Sequence, residues 1–245
     1  MKKRFFYDLH LHSCLSPCGD NESTPASCAG IAKLNGLDIV ALTDHNSAKN
    51  CQAFCKACDY YGIIPIPGIE VTTSEDVHMV CLFKELTKCL NFDGFLSSKR
   101  NLIKNRPEIF GEQLIVDEND EILAKEEYLL TNATSLSIDE LYHFVTEYGG
   151  VCFPAHIDRS ANGIISTLGT IPPNPNFGVY EMRNSSFENE YREKYFPEGK
   201  NLVFSSDAHC LCDIGSNGSY VELEAEKNDK REVICELFKY LNGEI

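Results

Sequence analysis

The chain has 245 residues, 43% of them hydrophobic and 24% charged, enough to bury one substantial core and ordinary for a globular protein. Its 37 acidic residues against 22 basic ones leave a net charge of −15; so acidic a surface repels phosphate backbones, and stable nucleic-acid binding is not expected. No apolar run approaches the ~20 residues of a membrane span, and in the opening MKKRFFYDLHLHS Asp8 and His10 cut the apolar run short of a signal-peptide core, so a cytoplasmic protein without membrane contact is expected.

In chain order, FFYDLHL reads as a strand. Thr24 then caps a helix with Pro25 in its first turn, an apolar stripe of Cys28, Ile31, Ala32 and Leu34, and an exit at Gly36. LDIVALTDHN is a buried strand with a polar end, followed by a helix over roughly 47–61. That helix carries Cys51, Cys55 and Cys58 on one side; with no second ligand pair they read as thiols rather than a zinc site. Strands IIPIPGIEV and VHMVCLF come next. Residues 85–137 break the rhythm and contain FGEQLIVDENDEILAKEEY, a hairpin about an acidic turn, so they read as an insertion or lid beside the main domain.

A Ser137–Glu140 capping box opens the helix SIDELYHFVTEYGG. VCFPAH, GVYEMRN and LVFSSDAH are strands, and the amphipathic KNDKREVICELFKYLNG closes the chain. The twelve cysteines do not suit a disulfide framework in a chain of this length. Cys81, Cys152 and Cys235 sit in apolar runs and read as packed thiols. Alternating strands and helices indicate an α/β fold with a mostly parallel sheet, open or closed into a barrel.

Six of the seven histidines fall where these strands end. DLHLHS gives His10 and His12, ALTDHN gives Asp44 and His45, and PGIEVTTSEDVHMV gives Glu70 and His78. FPAHIDR adds His156, and FSSDAH adds Asp207 and His209; His143, inside the capped helix, stands apart. Side chains at i and i+2 leave a strand on one face, which pairs His10 with His12. In α/β proteins the strand ends share one mouth, so residues dispersed over 200 positions converge there. Mixed imidazole and carboxylate donors suit zinc, manganese or iron, and this many donors call for more than one ion.

The ordered set DLHLHS, LTDHN, GIEVTT…H, PAHIDR and SSDAH resembles the polymerase-and-histidinol-phosphatase family, the PHP domain, from about residue 7 to 210. The resemblance implies a distorted (β/α)7 barrel with a small insertion, holding three divalent ions (Zn, Mn or Fe). Carried over, His10, His12 and Asp207 bind a first ion, Glu70 bridges it to a second completed by His78 and His156, and His45 and His209 hold a third. The family's further ligand to that third ion, commonly an acid or histidine, falls here on Pro17; Asp20 is the first substitute and Cys18 the second. Asp44 is expected to orient a neighbouring histidine.

The implied activity is phosphoester hydrolysis, because bridged ions bring the pKa of bound water from ~16 toward ~7 and neutralise phosphoryl charge. Arg159, three positions after His156, and Arg183, at the end of VYEMR, are the expected phosphate clamps. A small phosphorylated metabolite or nucleotide is the expected substrate, with histidinol phosphate or an exonuclease-type module as alternatives. Two other classes compete: a metal-dependent amide hydrolase, disfavoured because no lysine lies in the five motifs, and a non-catalytic metal or redox sensor built on the cysteines.

Overall fold

The computed structural model describes residues 1–196 and 199–245. Strand β1 (Lys3–Asp8) leads to helix α1 (Pro25–Leu34), whose Thr24 side chain accepts from the Ser27 backbone N–H as the proline-opened turn requires. Strand β2 (Ile39–Leu42), helix α2 (Cys51–Tyr61) and strand β3 (Ile64–Thr72) follow. After β4 (His78–Phe83) and α3 (Leu86–Ser97) come the short α4 (Pro107–Phe110) and a hairpin of β5 (Leu114–Val116) and β6 (Ile122–Lys125). The chain continues through α5 (Ile138–Glu147), β7 (Gly150–Pro154), α6 (Ile164–Leu168) and β8 (Val179–Met182). It ends with α7 (Glu188–Tyr195), β9 (Asn201–Phe204), β10 (Tyr220–Leu223) and α8 (Lys230–Leu241).

Six strands form one curled sheet in the order β10-β1-β2-β3-β4-β7. Strands β1, β2 and β3 run parallel, while β4 is antiparallel to both β3 and β7, and β10 is antiparallel to β1. The parallel pair β8–β9 stands apart, tied to the first strand's extension by a parallel bridge between Leu11 and Ala208. The α/β class is therefore as expected, but the closed seven-stranded barrel is not: among the described residues, strand pairing makes a half-barrel plus a two-stranded piece. The break lies beyond the edge strands β7 and β10, and the antiparallel turn within the sheet has a local cause. Only five residues, 73–77, separate β3 from β4, too few for the crossover a parallel neighbour needs, so the strands form a hairpin.

Alternation along the strands divides the core in two. Ile39, Ala41, Val80 and Leu82 face Phe5, Leu9 and Phe153 together with Val233, Leu237 and Phe238 of α8. Val40, Leu42, Met79, Cys81 and Phe83 face the opposite way, toward Phe54 of α2, Phe92 of α3 and Leu141 of α5. Gly178 abuts the end of α8 so closely that a Cβ would lie 2.3 Å from the Asn242 carbonyl carbon. All twelve cysteines are free thiols; Cys81 and Cys152 are buried, whereas Cys235 is exposed rather than packed. No helix among the described residues is long and apolar enough to cross a membrane.

Within the stretch 85–137, α3 buries Cys89, Phe92 and Leu96 in the main core. The β5–β6 hairpin instead leaves the sheet and docks on the loop after β1. Leu114 N–H donates to the Cys14 carbonyl at 2.8 Å, and Leu114 and Val116 pack on Cys14. The Asn50 side chain spans the same junction, donating to the Leu114 carbonyl at 3.0 Å and accepting from Val116 N–H at 3.1 Å. Glu126 pairs with Lys49 and, at 3.5 Å, with Arg100.

Candidate metal centre

The six strand-end histidines converge. Glu70, on β3, is the hub: its Oε1 lies 2.8 Å from His78 Nδ1, 3.1 Å from His156 Nε2 and 3.3 Å from His10 Nε2. Its Oε2 lies 3.0 Å from His45 Nδ1 and 3.4 Å from His12 Nε2. Asp207 faces the same space, with Oδ1 at 3.2 Å from His12 Nε2 and 3.5 Å from His10 Nε2. His209 stacks near His12 with ring centroids 4.3 Å apart, and its Nδ1 meets the Asp207 carbonyl at 2.8 Å. His143, as expected, is elsewhere, beside Glu147 on α5.

Each ligand candidate has a support behind it. His10 Nδ1 is held at 2.8 Å by Glu181 Oε2, and the same oxygen accepts from the His156 backbone N–H at 3.1 Å. Ser16 Oγ lies 3.0 Å from His12 Nδ1 and donates to Asp44 Oδ1 at 2.8 Å. Asp44 also takes the backbone N–H and hydroxyl of Ser13, both at 2.7 Å, so it orients His12 through a hydroxyl and shapes the loop. Asp8 ties the end of β1 to the Asp207 segment, accepting from Ser206 N–H at 3.0 Å and from Gly215 N–H at 2.8 Å. His156 and Asp207 both have left-handed backbone, at φ 29° and 51°.

The donors fit divalent ions. His12, His45 and His209 form one group whose ring nitrogens lie within 4.8 Å of one another; His10, His12 and Glu70 form a second, and His45, Glu70 and His78 a third. Although His10 Nε2, His45 Nδ1 and His78 Nδ1 lie close to Glu70, none of them, nor buried His156 Nδ1 and Glu70 Oε2, makes a well-oriented hydrogen bond, a costly state for polar atoms unless a cation takes them. Burial opposes ionisation of Glu70, but His78, His10 and His45 outweigh it and hold its carboxyl well below the usual range. His10 and His12 diverge. Burial disfavours the charge on both, yet Glu181, Glu70 and Asp207 hold His10 well above its ordinary value, while His209 and His45 add to burial and drive His12 well below.

In the loop after β1, Asp20 and Cys18 point to different partners. Asp20 is exposed, and its carboxylate turns back on its own loop to accept from Glu22 N–H at 3.1 Å. Cys18 is also exposed, but its thiol lies within reach of both His209 and His45. Burial alone would raise that thiol, but the two imidazoles bring it down to about 6. The turn at Ser13–Ser16 and a second at Ser16–Gly19 set the course of the loop that carries both residues.

The two arginines reach the mouth. Arg159 Nη1 lies 2.7 Å from Asp207 Oδ2, and Arg183 Nη1 lies 3.9 Å from the same oxygen, with side chains 39% and 42% exposed. Asp158 fixes the second arginine's backbone, accepting from Arg183 N–H at 3.0 Å and Asn184 N–H at 2.9 Å. Glu181 escaped sequence reasoning. Its signal was a single acid within the apolar run GVYEM, at a position buried on both faces. A separate group, Cys210, Cys212 and Asp213, lies just beyond His209 and is largely exposed.

Several solved structures share this fold. The lesion-specific endonuclease Q of Pyrococcus furiosus aligns over 98% of this chain and 56% of its own, with a TM-score of 0.63 at 16% identity. A second structure of endonuclease Q, with a 27-mer duplex substrate carrying an abasic lesion at the active site, aligns with a TM-score of 0.60 at 16% identity, over 95% of this chain and 56% of that one. A Bifidobacterium adolescentis protein described provisionally as a metal-dependent phosphoesterase aligns over 94% of this chain and 96% of its own, with a TM-score of 0.59 at 16% identity. In sequence, an error-prone DNA polymerase of Symbiobacterium thermophilum is 35% identical over 77 residues, 31% of this chain but 7% of the polymerase.

The exclusion of nucleic acid drawn from net charge does not stand, because a protein of this fold holds a duplex at its active site. Net charge describes the average surface, whereas phosphate meets a local field set by cations at the mouth. The PHP domain model matches residues 8–243, a span in which five strand-end histidines converge on Glu70: this chain belongs to the PHP domain family.

Proposed function

We propose that the chain is a metal-dependent phosphoesterase acting on a nucleotide or on the phosphate backbone of a nucleic acid. The carrying observation is Glu70, buried beneath five imidazoles, with Arg159 and Arg183 converging on Asp207 at the rim. The reading assigns His10, His12, Glu70, His78, His156 and Asp207 to an inner pair of ions and His45 and His209 to an outer one. Ions held there would polarise phosphoryl oxygens and lower the pKa of a bound water toward neutrality.

The chain's own side chains do the rest. Glu181 and Ser16 fix the Nδ1 faces of His10 and His12 and thereby aim both Nε2 atoms inward. Arg159 and Arg183 present guanidinium forks to the substrate phosphate and hold it in line. The support for a nucleotide-type substrate is the fold shared with endonuclease Q, together with an exposed arginine pair that admits a large leaving group.

The test is product release by the purified protein with added manganese. The panel comprises a 5′-nucleotide, a nucleoside 3′,5′-bisphosphate, histidinol phosphate, a short oligonucleotide and a duplex with an abasic site, with His10→Ala as control. Turnover of a nucleotide or nucleic acid that is absent in the control supports the reading. Turnover of histidinol phosphate alone overturns the substrate class, and no turnover of any compound by metal-loaded protein overturns the phosphoesterase assignment.

A further inference from the structure

The loop 13–20 is built around a cysteine. Backbone bonds from Ser16 N–H to the Ser13 carbonyl at 3.0 Å and from Gly19 N–H to the Ser16 carbonyl at 2.8 Å wind it into two successive turns. Gly19 is needed there, since a Cβ would lie 2.6 Å from the Ser13 carbonyl oxygen. Asp20 N–H donates to the His209 carbonyl at 2.8 Å and so fastens the loop to the segment bearing that imidazole. Gly111, before the β5–β6 hairpin, presses on Pro17 from outside, leaving 2.3 Å between its would-be Cβ and the Pro17 oxygen. These contacts hold the loop in place, with the Cys18 thiol near both His45 and His209.

One thiol proton can satisfy one imidazole acceptor, not two, whereas one divalent ion satisfies the sulfur and both nitrogens. Two neutral imidazoles also bring no charge to an ion; a thiolate supplies it, and Asp20, the nearest acid in sequence, faces away. The cluster of His12, His45 and His209 nitrogens is an independent sign of a cation at this place. We propose that Cys18 is a thiolate ligand to the outer ion of the centre, beside His45 and His209, and that this position selects a thiophilic ion of the zinc type. The assignment rests on reading the cluster as a metal centre. It adds that a soft donor stands at one ion while the inner positions are nitrogen- and oxygen-ligated, so the ions differ in affinity for thiophilic metals.

Cobalt(II) is the probe, because a cysteine thiolate bound to it gives a near-ultraviolet sulfur-to-cobalt charge-transfer band that imidazole and carboxylate do not. The intact chain, stripped and reloaded with cobalt(II), is compared with Cys18→Ser, Cys18→Asp, Asp20→Asn and the double variant Cys210→Ser/Cys212→Ser, with bound cobalt counted by elemental analysis. Cys18→Asp keeps an anionic donor and guards against a variant that merely loosens the loop. The expected result is a band in the wild-type chain, in Asp20→Asn and in the double variant. It is lost in both Cys18 variants, with cobalt content kept in Cys18→Asp and reduced by one equivalent in Cys18→Ser. A band that persists without Cys18, or disappears with Cys210 and Cys212, overturns the assignment, as does cobalt bound without a band; all three leave the metal centre standing. Folded wild-type protein that retains no cobalt overturns both.

Discussion

His10 Nδ1 and Glu181 Oε2, 171 positions apart in sequence, meet at 2.8 Å with neither side chain exposed to solvent. A carboxylate at that nitrogen fixes the imidazole's tautomer and makes its other nitrogen a stronger donor. Glu181→Ala is expected to weaken metal affinity about 10–100-fold, read by competition against a chromophoric chelator. Glu181→Gln, which still accepts a hydrogen bond, is expected to lose less. Equal affinity in the alanine variant and the wild type would show that the pair is structural only.

Arg159 and Arg183 are expected to act on substrate and not on ions. A hydrogen bond to a charged group is worth about 1.5–3 kcal/mol, so Arg159→Ala should lower kcat/KM roughly 10–150-fold with unchanged metal content. Arg159→Lys should recover part of this, because a point charge replaces a bidentate fork. Arg183→Ala should cost less, as Arg183 sits 3.9 Å from Asp207 against 2.7 Å for Arg159. Loss of metal in either variant would contradict the division of labour.

Ions that bind the folded chain alone must raise its thermal stability. At a free ion concentration of about 100 Kd the gain is ~2.7 kcal/mol, which for a chain of this length raises Tm by about 5–10 °C. Differential scanning fluorimetry with manganese or zinc, reversed by a chelator, measures it. His10→Ala should lose most of the rise, and an undiminished rise in that variant would place the ions elsewhere.

The hairpin's anchor is expected to be acid-labile. Burial opposes ionisation of Glu126, but the hydrogen bonds from Lys49 and the Tyr128 backbone, with Arg100 nearby, prevail and depress its pKa below 4.5. A group whose folded pKa is depressed stabilises in full above its unfolded value and loses that contribution as pH falls through the folded one. Hydrogen exchange over residues 98–131 should therefore quicken relative to the main sheet as pH drops below about 4.5. In Glu126→Gln it should already be fast at neutral pH. Unchanged protection in that variant would show that Leu114, Val116 and Asn50 suffice to hold the hairpin.

The strand ends were readable because a short apolar run and a histidine at or just beyond its end coincide five times, and residues at the ends of neighbouring strands share one mouth wherever they lie in sequence. The hairpin of β3 and β4 was less so. Both segments read as strands, but only the brevity of residues 73–77 indicates that they run antiparallel. Glu181 was hidden because an acid in an apolar strand carries no mark of the partner that will satisfy it. Asp20 and Cys18 differ by two positions, and two tight turns, which spacing does not encode, decide which one faces the imidazoles. Net charge misleads about nucleic acid for a different reason: it sums over the whole surface, whereas a phosphate responds to the local potential.

The left-handed backbone at His156 and Asp207 bears on how the centre assembles. Neither residue is a glycine, and each such conformation costs of the order of 1–3 kcal/mol. The expense is met during folding, through Glu181 at the His156 N–H and Ser206 and Asp8 around Asp207. An arriving ion thus meets donors whose directions are already set, and little chain entropy is charged to its capture. The cavity works as a mould cast in advance, with its shape supplied by the protein and its charge by the guest.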